Sequence, residues 1–144
     1  MTRLPPGTDT DNFLTLFRSG TWRLYYRLSY EGRARLMSEF WPLLHQTKAS
    51  TLGLRDTNSM YLVYVGTKPS ARGRGYAKKL IEHGTKMADE WKVPTYLESS
   101  NIVNIKFYEK LGFEYKKDVL LQRGVKPVAL GIMVREYREA KDGR

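Results

Sequence analysis

The stretch MYLVYVGTKPSARGRGYA, residues 60–77, decides the fold of this chain. Residues 61–65 are a run of aromatic, leucine and β-branched side chains, which predicts a buried strand. Residues 72–77 carry glycines at positions 73 and 75, and they predict the glycine-rich entrance to a helix. A helix N-terminus presents unpaired backbone N–H groups and the positive end of the helix dipole. The stretch therefore predicts a strand, a turn and a helix whose first turn binds an anion such as a pyrophosphate.

Residues 72–77, which we call the cradle, match neither of the two common nucleotide-binding motifs. A P-loop requires GxxxxGK[ST], and no glycine of the chain is followed by Lys and then Ser or Thr. A dinucleotide-binding fold requires GxGxxG, and Lys78 stands at the third glycine position. The pattern that fits is R-x-x-G-x-A, formed by Arg72, Gly75 and Ala77. Its glycines allow a phosphate to approach the backbone, and Arg72 and Arg74 add positive charge.

The segments after the cradle predict a helix, a second strand and a second helix, in that order. Apolar and small residues at helical spacing form one face of the first helix: Ala77, Leu80, Ile81, Gly84, Met87, Ala88 and Trp91. Residues 95–100 predict a short strand. Asn101 is expected to cap the next helix, and Gly112 suits the left-handed position at its end.

Two motifs together carry a resemblance to a known family. The R-x-x-G-x-A pattern resembles the acyl-CoA-binding motif of the GNAT superfamily of N-acetyltransferases. The segment YLESSNIVNIKFYEKLGFEYKK, residues 96–117, is similar to the second half of a GNAT domain, where a strand feeds a helix ending in FYxKLGF. It looks most like the puromycin N-acetyltransferase branch and its fungal and bacterial small-molecule relatives. The resemblance covers residues 60–135 and implies an α/β (α+β) fold, a mixed sheet flanked by helices.

The resemblance also implies an activity and a cofactor site. It implies an acetyl-CoA-dependent N-acetyltransferase that transfers an acetyl group to the amine of a small molecule. The backbone amides of residues 73–77 are expected to bind the cofactor phosphates, and Val65 and Thr67 the pantetheine amides. The expected cofactor contacts are Val65, Thr67, Arg72, Gly73, Arg74, Gly75, Tyr76, Ala77 and Asn104.

Two residues are the candidates for proton transfer in that reaction. Tyr108 occupies the tyrosine position of FYxKLGF, where the resemblance implies a general acid beside the cofactor sulfur. Its periodicity alone is also typical of a core aromatic. Glu98 ends the strand beside the cofactor strand and is the candidate general base. A carboxylate that orients a helix terminus or pairs with an arginine is the alternative interpretation for Glu98.

Composition excludes several other kinds of site. The chain of 144 residues has no cysteine, which excludes disulfides and Cys-ligated metals, and its two histidines are too few for a His-based zinc site. No metal is therefore expected. No stretch approaches the ~20 apolar residues of a membrane helix, and the N-terminus lacks a signal-peptide core. We expect a single cytoplasmic domain without a membrane partner.

The net charge of +10 raises the question of nucleic-acid binding. The basic excess is spread evenly along the chain rather than concentrated in a patch or tail, and no nucleic-acid-binding module is recognisable. We therefore expect acetyl-CoA and a small amine as ligands and no specific nucleic acid. A basic nucleic-acid binder remains the weaker alternative.

The domain organisation is expected to be an abbreviated GNAT domain. We predict a disordered tail at residues 1–10, a helical segment at 11–50, the GNAT core at 51–137 and a polar tail at 138–144. Within the helical segment, residues 11–18 favour a short helix, and residues 32–48 a longer one with a kink at Pro42. Residues 21–30 alternate apolar and polar side chains, which is typical of a strand, whereas the family comparison favours a helix.

The N-terminal strands of a whole GNAT domain are not recognisable before residue 60. Two closing strands are predicted at residues 115–121 and 128–134, so a sheet of four strands is expected. Its first strand would have an unpaired edge, which native proteins rarely leave bare. We expect the aromatic N-terminal segment to cover that edge or to drive formation of a homodimer. An alternative function is a CoA-binding module that is catalytically weak or inactive.

Overall fold

The computed structural model describes residues 2–4 and 22–139, which form a five-stranded sheet with helices on both faces. The strands are β1 (Thr2–Leu4), β2 (Met60–Tyr64), β3 (Thr95–Ser99), β4 (Glu114–Leu121) and β5 (Val128–Arg135). The α-helices are α1 (Trp22–Arg27), α2 (Tyr30–Ala34), α3 (Trp41–Leu52), α4 (Tyr76–Glu90) and α5 (Ile102–Glu109). The predicted helix at residues 11–18 and most of the polar tail, residues 140–144, lie outside the described residues.

The sheet is mixed, as predicted. Its strand order is β1-β2-β3-β5-β4, in which β2 and β3 are parallel and the other neighbours are antiparallel. The predicted strands agree with the observed ones to within one residue at each end. The prediction was accurate here because long runs of β-branched and aromatic residues, bounded by glycine and proline, are strong strand signals.

The prediction of a disordered tail at residues 1–10 is wrong for part of that segment. Thr2–Leu4 forms β1, which pairs antiparallel with β2 from Thr2 opposite Tyr64 to Leu4 opposite Tyr61. The expected bare edge of β2 is therefore covered, and the sheet has five strands rather than four. A three-residue strand is too short to show periodicity in the sequence. It is ordered by hydrogen bonds to the N–H and C=O groups that the edge of β2 would otherwise leave unpaired. The homodimer stays a prediction, because it also rested on the apolar surface of the aromatic segment, of which Trp22, Tyr26 and Tyr30 are exposed.

Residues 22–27, for which a strand and a helix were both open, form the helix α1. Trp22 and Tyr26 lie one helical turn apart and contact each other edge to face, with their ring centroids 6.2 Å apart. A new helix begins three residues after α1 ends, and the hydroxyl of Ser29 caps it by accepting a hydrogen bond from the N–H of Gly32 at 3.1 Å.

The helix predicted at residues 32–48 is observed as three continuous segments. A π-helical segment, Arg35–Phe40, joins α2 to α3. It lies directly before Pro42, whose missing N–H and bulky ring disrupt the ordinary helical hydrogen bonds of the preceding turn. The predicted disturbance at Pro42 thus takes the form of a widened turn. The helix α3 then continues to Leu52 and ends at Gly53, whose φ is +58°.

The sheet has an apolar core on each face. The core on the α3 side consists of Leu52, Tyr96, Val119, Ile132 and Val134, with Leu43 and Tyr61 packed against it. The core on the α4 and α5 side contains Leu62, Ile81, Leu97, Phe113 and Met133. On α4, Ile81, Gly84 and Ala88 are buried as predicted, whereas Leu80 and Trp91 are exposed by 39% and 42%. The buried stripe of α4 is therefore narrower than its sequence pattern indicates.

The parallel strands β2 and β3 separate from each other after two residues. Met60 pairs with Thr95 and Tyr61 with Tyr96, and the paired register ends there. On its other edge β2 pairs with β1 through Tyr61, Leu62 and Tyr64, and β3 pairs with β5 along its whole length. The C-terminal ends of β2 and β3 thus form an opening inside the sheet, which we call the strand opening.

Candidate active site

The cradle leads into α4 and contains two glycines in the left-handed conformation. Gly73 and Gly75 have φ angles of +76° and +74°, and Gly75 is the N-cap of α4. Residues other than glycine rarely adopt these backbone angles. A Cβ at either position would meet no atom within 4 Å among the described residues. The backbone conformation therefore requires glycine, and the space in front of both residues is open.

The first turn of α4 is suited to bind an anion. The N–H of Lys79 donates to the carbonyl of Gly75 at 3.1 Å, so the N–H groups of residues 76–78 precede the first helical hydrogen bond. No described side chain caps this end of the helix. Arg72 and Arg74 are exposed beside it, and so is Tyr76, the first residue of α4. The cradle combines amide donors, the positive end of a helix dipole and two guanidinium groups.

The segment between β2 and the cradle contains the two residues predicted to contact a pantetheine chain. Val65 is half-buried and packs against the core on the α4 and α5 side, and Thr67 is half-buried as well. Both follow directly after the strand opening. The path from the opening to the cradle is therefore short and continuous along the chain.

The carboxyl group of Glu98 lies at the strand opening in a largely buried environment. The hydroxyl of Tyr61 donates a hydrogen bond to Oε2 of Glu98 at 2.7 Å. The other oxygen, Oε1, is buried and makes no hydrogen bond of standard geometry among the described residues. The hydroxyl of Tyr96 makes none either, although it lies close enough to the carboxyl group of Glu98 to lower its pKa. The site thus contains one unused acceptor and one unused hydroxyl, both without contact to solvent.

Burial sets the protonation of this group of residues. It raises the pKa of Glu98, and the interactions with the hydroxyls of Tyr61 and Tyr96 and with the charge of Lys48 only partly oppose that effect. Burial and the negative charge of Glu98 both raise the pKa of Tyr61 and of Tyr96 far above the ordinary tyrosine value. The two tyrosines therefore stay protonated at neutral pH, and Glu98 is a stronger base than an exposed carboxylate.

Lys48 connects α3 to this group. Its Nζ donates to Oδ1 and to the carbonyl oxygen of Asp56, at 2.5 Å and 2.7 Å, and lies 6.0 Å from the ring centroid of Tyr61. Tyr61 and Tyr96 contact each other edge to face at 5.6 Å. Sequence reasoning missed Tyr61, Tyr96 and Lys48. The spacing of Tyr96 and Glu98, two apart on one strand, was the available signal that they share a face.

Tyr108 lies on the other face of the sheet. It is half-buried on α5, where its ring contacts Phe113 edge to face at 5.7 Å and packs against the core on the α4 and α5 side. Burial raises its pKa, so the hydroxyl is a proton donor at neutral pH. Tyr61, the partner of Glu98, packs against the opposite core. The two candidate catalytic residues therefore flank the sheet from opposite sides rather than touching each other.

The remaining candidate residues fall outside this group. Asn101 caps α5 as predicted, because its side chain accepts a hydrogen bond from the N–H of Val103 at 2.9 Å. Asn104 is exposed on α5, one turn before Tyr108, and His45 and His83 are exposed. Within residues 2–4 and 22–139 there is no cluster of side chains suited to a metal ion and no helix long and apolar enough to cross a membrane.

Comparison with known proteins decides the family. The sequence model of the Acetyltransferase (GNAT) family matches residues 23–113 of this chain. The chain belongs to the GNAT acetyltransferase family. An uncharacterized N-acetyltransferase of Schizosaccharomyces pombe is 46% identical to this GNAT chain over 131 residues. The match covers 91% of the chain and 53% of that protein, so the chain spans about half the length of this curated relative.

Solved structures share the GNAT fold at low sequence identity. A mosquito arylalkylamine N-acetyltransferase-like 5b has a TM-score of 0.61 and 12% identity, and the match covers 94% of this chain and 65% of that one. Arylalkylamine N-acetyltransferase 2 from Aedes aegypti has a TM-score of 0.58 and 16% identity, and the match covers 94% of this chain and 65% of that one. At such identities the likeness shows the fold alone. The family resemblance and the fold class expected from the two sequence motifs are confirmed.

Proposed function

We propose that this GNAT chain is an acetyl-CoA-dependent N-acetyltransferase that acts on the amine of a small molecule. The observation that carries the proposal is the strand opening, which has a buried carboxylate with an unused oxygen beside it and the cradle downstream of it. The cradle suits the phosphates, and the opening suits the narrow pantetheine arm. A buried base at the opening is what a protonated amine acceptor requires before it reacts.

The residues that would hold acetyl-CoA follow from the geometry of the cradle. The amides of residues 73–77 would bind the pyrophosphate, and Arg72 and Arg74 would add positive charge. Tyr76 is exposed at the first position of α4 and would lie against the bound nucleotide. Val65, Thr67 and Asn104 would contact the pantetheine arm. Acetyl-CoA supplies the acetyl thioester when it is bound.

Glu98 is proposed to deprotonate the acceptor amine. A free amine with a pKa near the lysine reference value of about 10.4 is almost fully protonated at neutral pH and does not attack a carbonyl. The Oε1 atom of Glu98 is buried and unused, and the raised pKa of the carboxyl group makes it a better proton acceptor. The proton passes to Oε1, directly or through a water molecule, and Tyr61 holds Oε2 in place.

Tyr108 is proposed to supply a proton to the departing sulfur. Its hydroxyl stays protonated at neutral pH because burial raises its pKa. It lies on the face of the sheet that carries α4 and the cradle, whereas Glu98 lies on the face that α3 covers. In this proposal the acid and the base act from opposite sides of the sheet, so the amine and the departing thiolate are approached from different sides.

Calorimetric titration with acetyl-CoA, followed by measurement of thiol release with a panel of small amines, tests the proposal. We expect saturable binding and thiol release with at least one amine. Binding of acetyl-CoA without thiol release in the presence of any of the amines would instead support the inactive CoA-binding module. A folded chain that binds no acetyl-CoA would overturn both.

A further inference from the structure

A cavity of about 280 Å³ lies between α4 and the C-terminal end of α5, outside the strand opening. Its cationic lining side chains are Lys78, Lys86, Lys110, Arg135 and Arg138. Only two carboxylates, those of Glu82 and Asp89, line it as well. The cavity therefore has a formal excess of three positive charges at neutral pH. Such a concentration contrasts with the even spread of basic residues along the sequence.

The two carboxylates are already engaged by two of the five cations. Asp89 accepts two hydrogen bonds from the guanidinium of Arg135, at 2.7 Å and 2.8 Å. Glu82 lies 3.7 Å from Lys78, its neighbour one turn earlier on α4. The side chains of Lys86 and Lys110 have no ion-pair partner in the part of the chain that the structure describes. Arg138 donates its backbone N–H to Asp89 at 2.8 Å, and its side-chain charge helps to lower the pKa of that carboxyl group without forming an ion pair. These three cations are the source of the excess charge.

The floor of the cavity holds a buried guanidinium with an unused donor. Arg135 is only 5% exposed, and both of its terminal nitrogens donate to Asp89. Its Nε is buried and has no hydrogen-bond partner among the described residues. A buried donor without an acceptor is unfavourable, which makes this site a candidate for a missing ligand.

Gly112 makes room for two guanidinium groups on this side of the cavity. A Cβ on Gly112 would collide with the guanidinium of Arg138 and would lie 3.7 Å from Nε of Arg135. Both guanidinium groups thus approach one point. Asp89 already offsets part of the repulsion between these two cations, and a further anion beside them would offset more of it.

We propose that this cavity binds a phosphate-sized oxyanion. Lys86, Lys110 and Arg138 would neutralise its charge, above the fixed guanidinium of Arg135. The cavity begins at Lys78, next to the cradle, but the proposed ligands lie further along α4, since Lys86 is nine residues after Ala77, about 13 Å along the helix axis. The phosphate group has two possible sources, a separate small phosphorylated ligand or the 3′-phosphate of a CoA bound at the cradle. The binding of inorganic phosphate tests the site without any assumption about acetyl transfer.

The test is a titration of the chain with inorganic phosphate at constant ionic strength, followed by amide NMR. We expect saturable shifts at Lys86, Lys110, Leu111 and Arg138, which are separate from any shifts of cradle residues 73–77. The double variant Lys86→Glu/Lys110→Glu should bind at this site at least about tenfold more weakly, since two attractive charges become repulsive. Both lysines are exposed, so the fold should tolerate the change.

The matched control is Lys117→Glu/Lys126→Glu, which makes the same charge change at exposed positions on and after β4, away from the cavity. It should leave the affinity for phosphate unchanged. Shifts confined to the cradle, or equal weakening in both double variants, would overturn the proposal.

A comparison of acetyl-CoA with its 3′-dephospho form distinguishes the two sources. If the 3′-phosphate occupies the cavity, Lys86→Glu/Lys110→Glu weakens binding of acetyl-CoA but not of the dephospho form. If the ligand is separate, the variant binds both cofactor forms as the wild type does and loses only inorganic phosphate. Both results support the oxyanion site and identify its occupant.

Discussion

The hydroxyl of Tyr61 donates a hydrogen bond of 2.7 Å to Oε2 of Glu98, and this contact joins β2 to β3 where the two strands begin to separate. It fixes one carboxylate oxygen and leaves the other, Oε1, buried and unused. The carboxyl group is thus oriented through one oxygen, and Lys48, the nearby cation, forms its ion pair with Asp56 rather than with Glu98. The proposed base is thus positioned by the same strand pair that forms the strand opening.

Replacement of Glu98 by Gln should lower kcat by about 10²-fold, the lower range for a positioned general base. In the wild type, kcat should fall as the pH decreases through the pKa of Glu98. Because that pKa is raised by burial, the fall should occur above the ordinary glutamate range. The variant should lack this acidic limb and keep its affinity for acetyl-CoA. A wild-type profile without the limb, or a variant that retains it, would show that Glu98 is not the base.

Replacement of Tyr61 by Phe should move the acidic limb to higher pH. The hydrogen bond from Tyr61 lowers the pKa of Glu98, so its removal lets burial raise that pKa further. At neutral pH a larger fraction of Glu98 is then protonated, and kcat should fall several-fold. Tyr30→Phe, at an exposed tyrosine on α2, is the control and should change neither quantity. A lower kcat with an unmoved limb would mean that Tyr61 serves packing alone.

Replacement of Tyr108 by Phe should lower kcat by about 10²-fold and leave the affinity for acetyl-CoA nearly intact. The ring would keep its edge-to-face contact with Phe113, so the fold should not change. Single-turnover rates measured between about pH 6 and pH 9 would separate the two interpretations of this residue. Rates within about twofold of the wild type throughout would show that Tyr108 is a core aromatic.

Replacement of Asp89 by Ala should destabilise the fold by about 3 kcal/mol at neutral pH, because it leaves the buried Arg135 unpaired. Burial alone would raise the pKa of Asp89, but the hydrogen bonds from Arg135 and Arg138 outweigh burial and lower it. Because the pKa of Asp89 is lower in the folded than in the unfolded protein, its ionised carboxylate stabilises the fold at pH values above the unfolded-state pKa of about 3.9. This stabilisation is lost as the pH falls through the folded-state pKa. Urea denaturation should therefore show that the difference in unfolding free energy between the wild type and Asp89→Ala becomes smaller below about pH 4.

The exposed pair between Arg55 and Glu136 provides the control for that experiment. Glu136→Ala should cost about 0.5 kcal/mol or less, since exposed ion pairs contribute little. If the difference in unfolding free energy between Asp89→Ala and the wild type stayed constant down to about pH 2, the ionised form of Asp89 would not be what stabilises the fold.

The sequence was informative wherever a signal is local. The strand before the cradle, the cap at Asn101 and the left-handed Gly112 each depend on residues close together in the chain, and the structure confirms them. The alternation of residues 21–30 was ambiguous because Trp22 and Tyr26 also lie one helical turn apart.

The contacts that the sequence did not reveal depend on register and packing. The hydrogen bond between Tyr61 and Glu98 requires the register of two strands whose pairing is set by the whole sheet. The cavity beside Arg135 requires the packing of α4 against α5. The strand Thr2–Leu4 is ordered by the edge of β2 rather than by its own pattern.

Binding of acetyl-CoA by variants of two glycines with positive φ angles tests the central claim most directly. Gly75 and Gly53 have φ angles of +74° and +58°, and a Cβ on either would meet open space, but only Gly75 lies in the cradle. Gly75→Val strains the backbone at φ +74° and ψ +7°, and Gly53→Val strains it at least as much, because a ψ of −129° lies outside the left-handed region that other residues adopt. We predict that calorimetric titration shows wild-type affinity in folded Gly53→Val and no binding in folded Gly75→Val. Wild-type affinity in folded Gly75→Val would contradict the account.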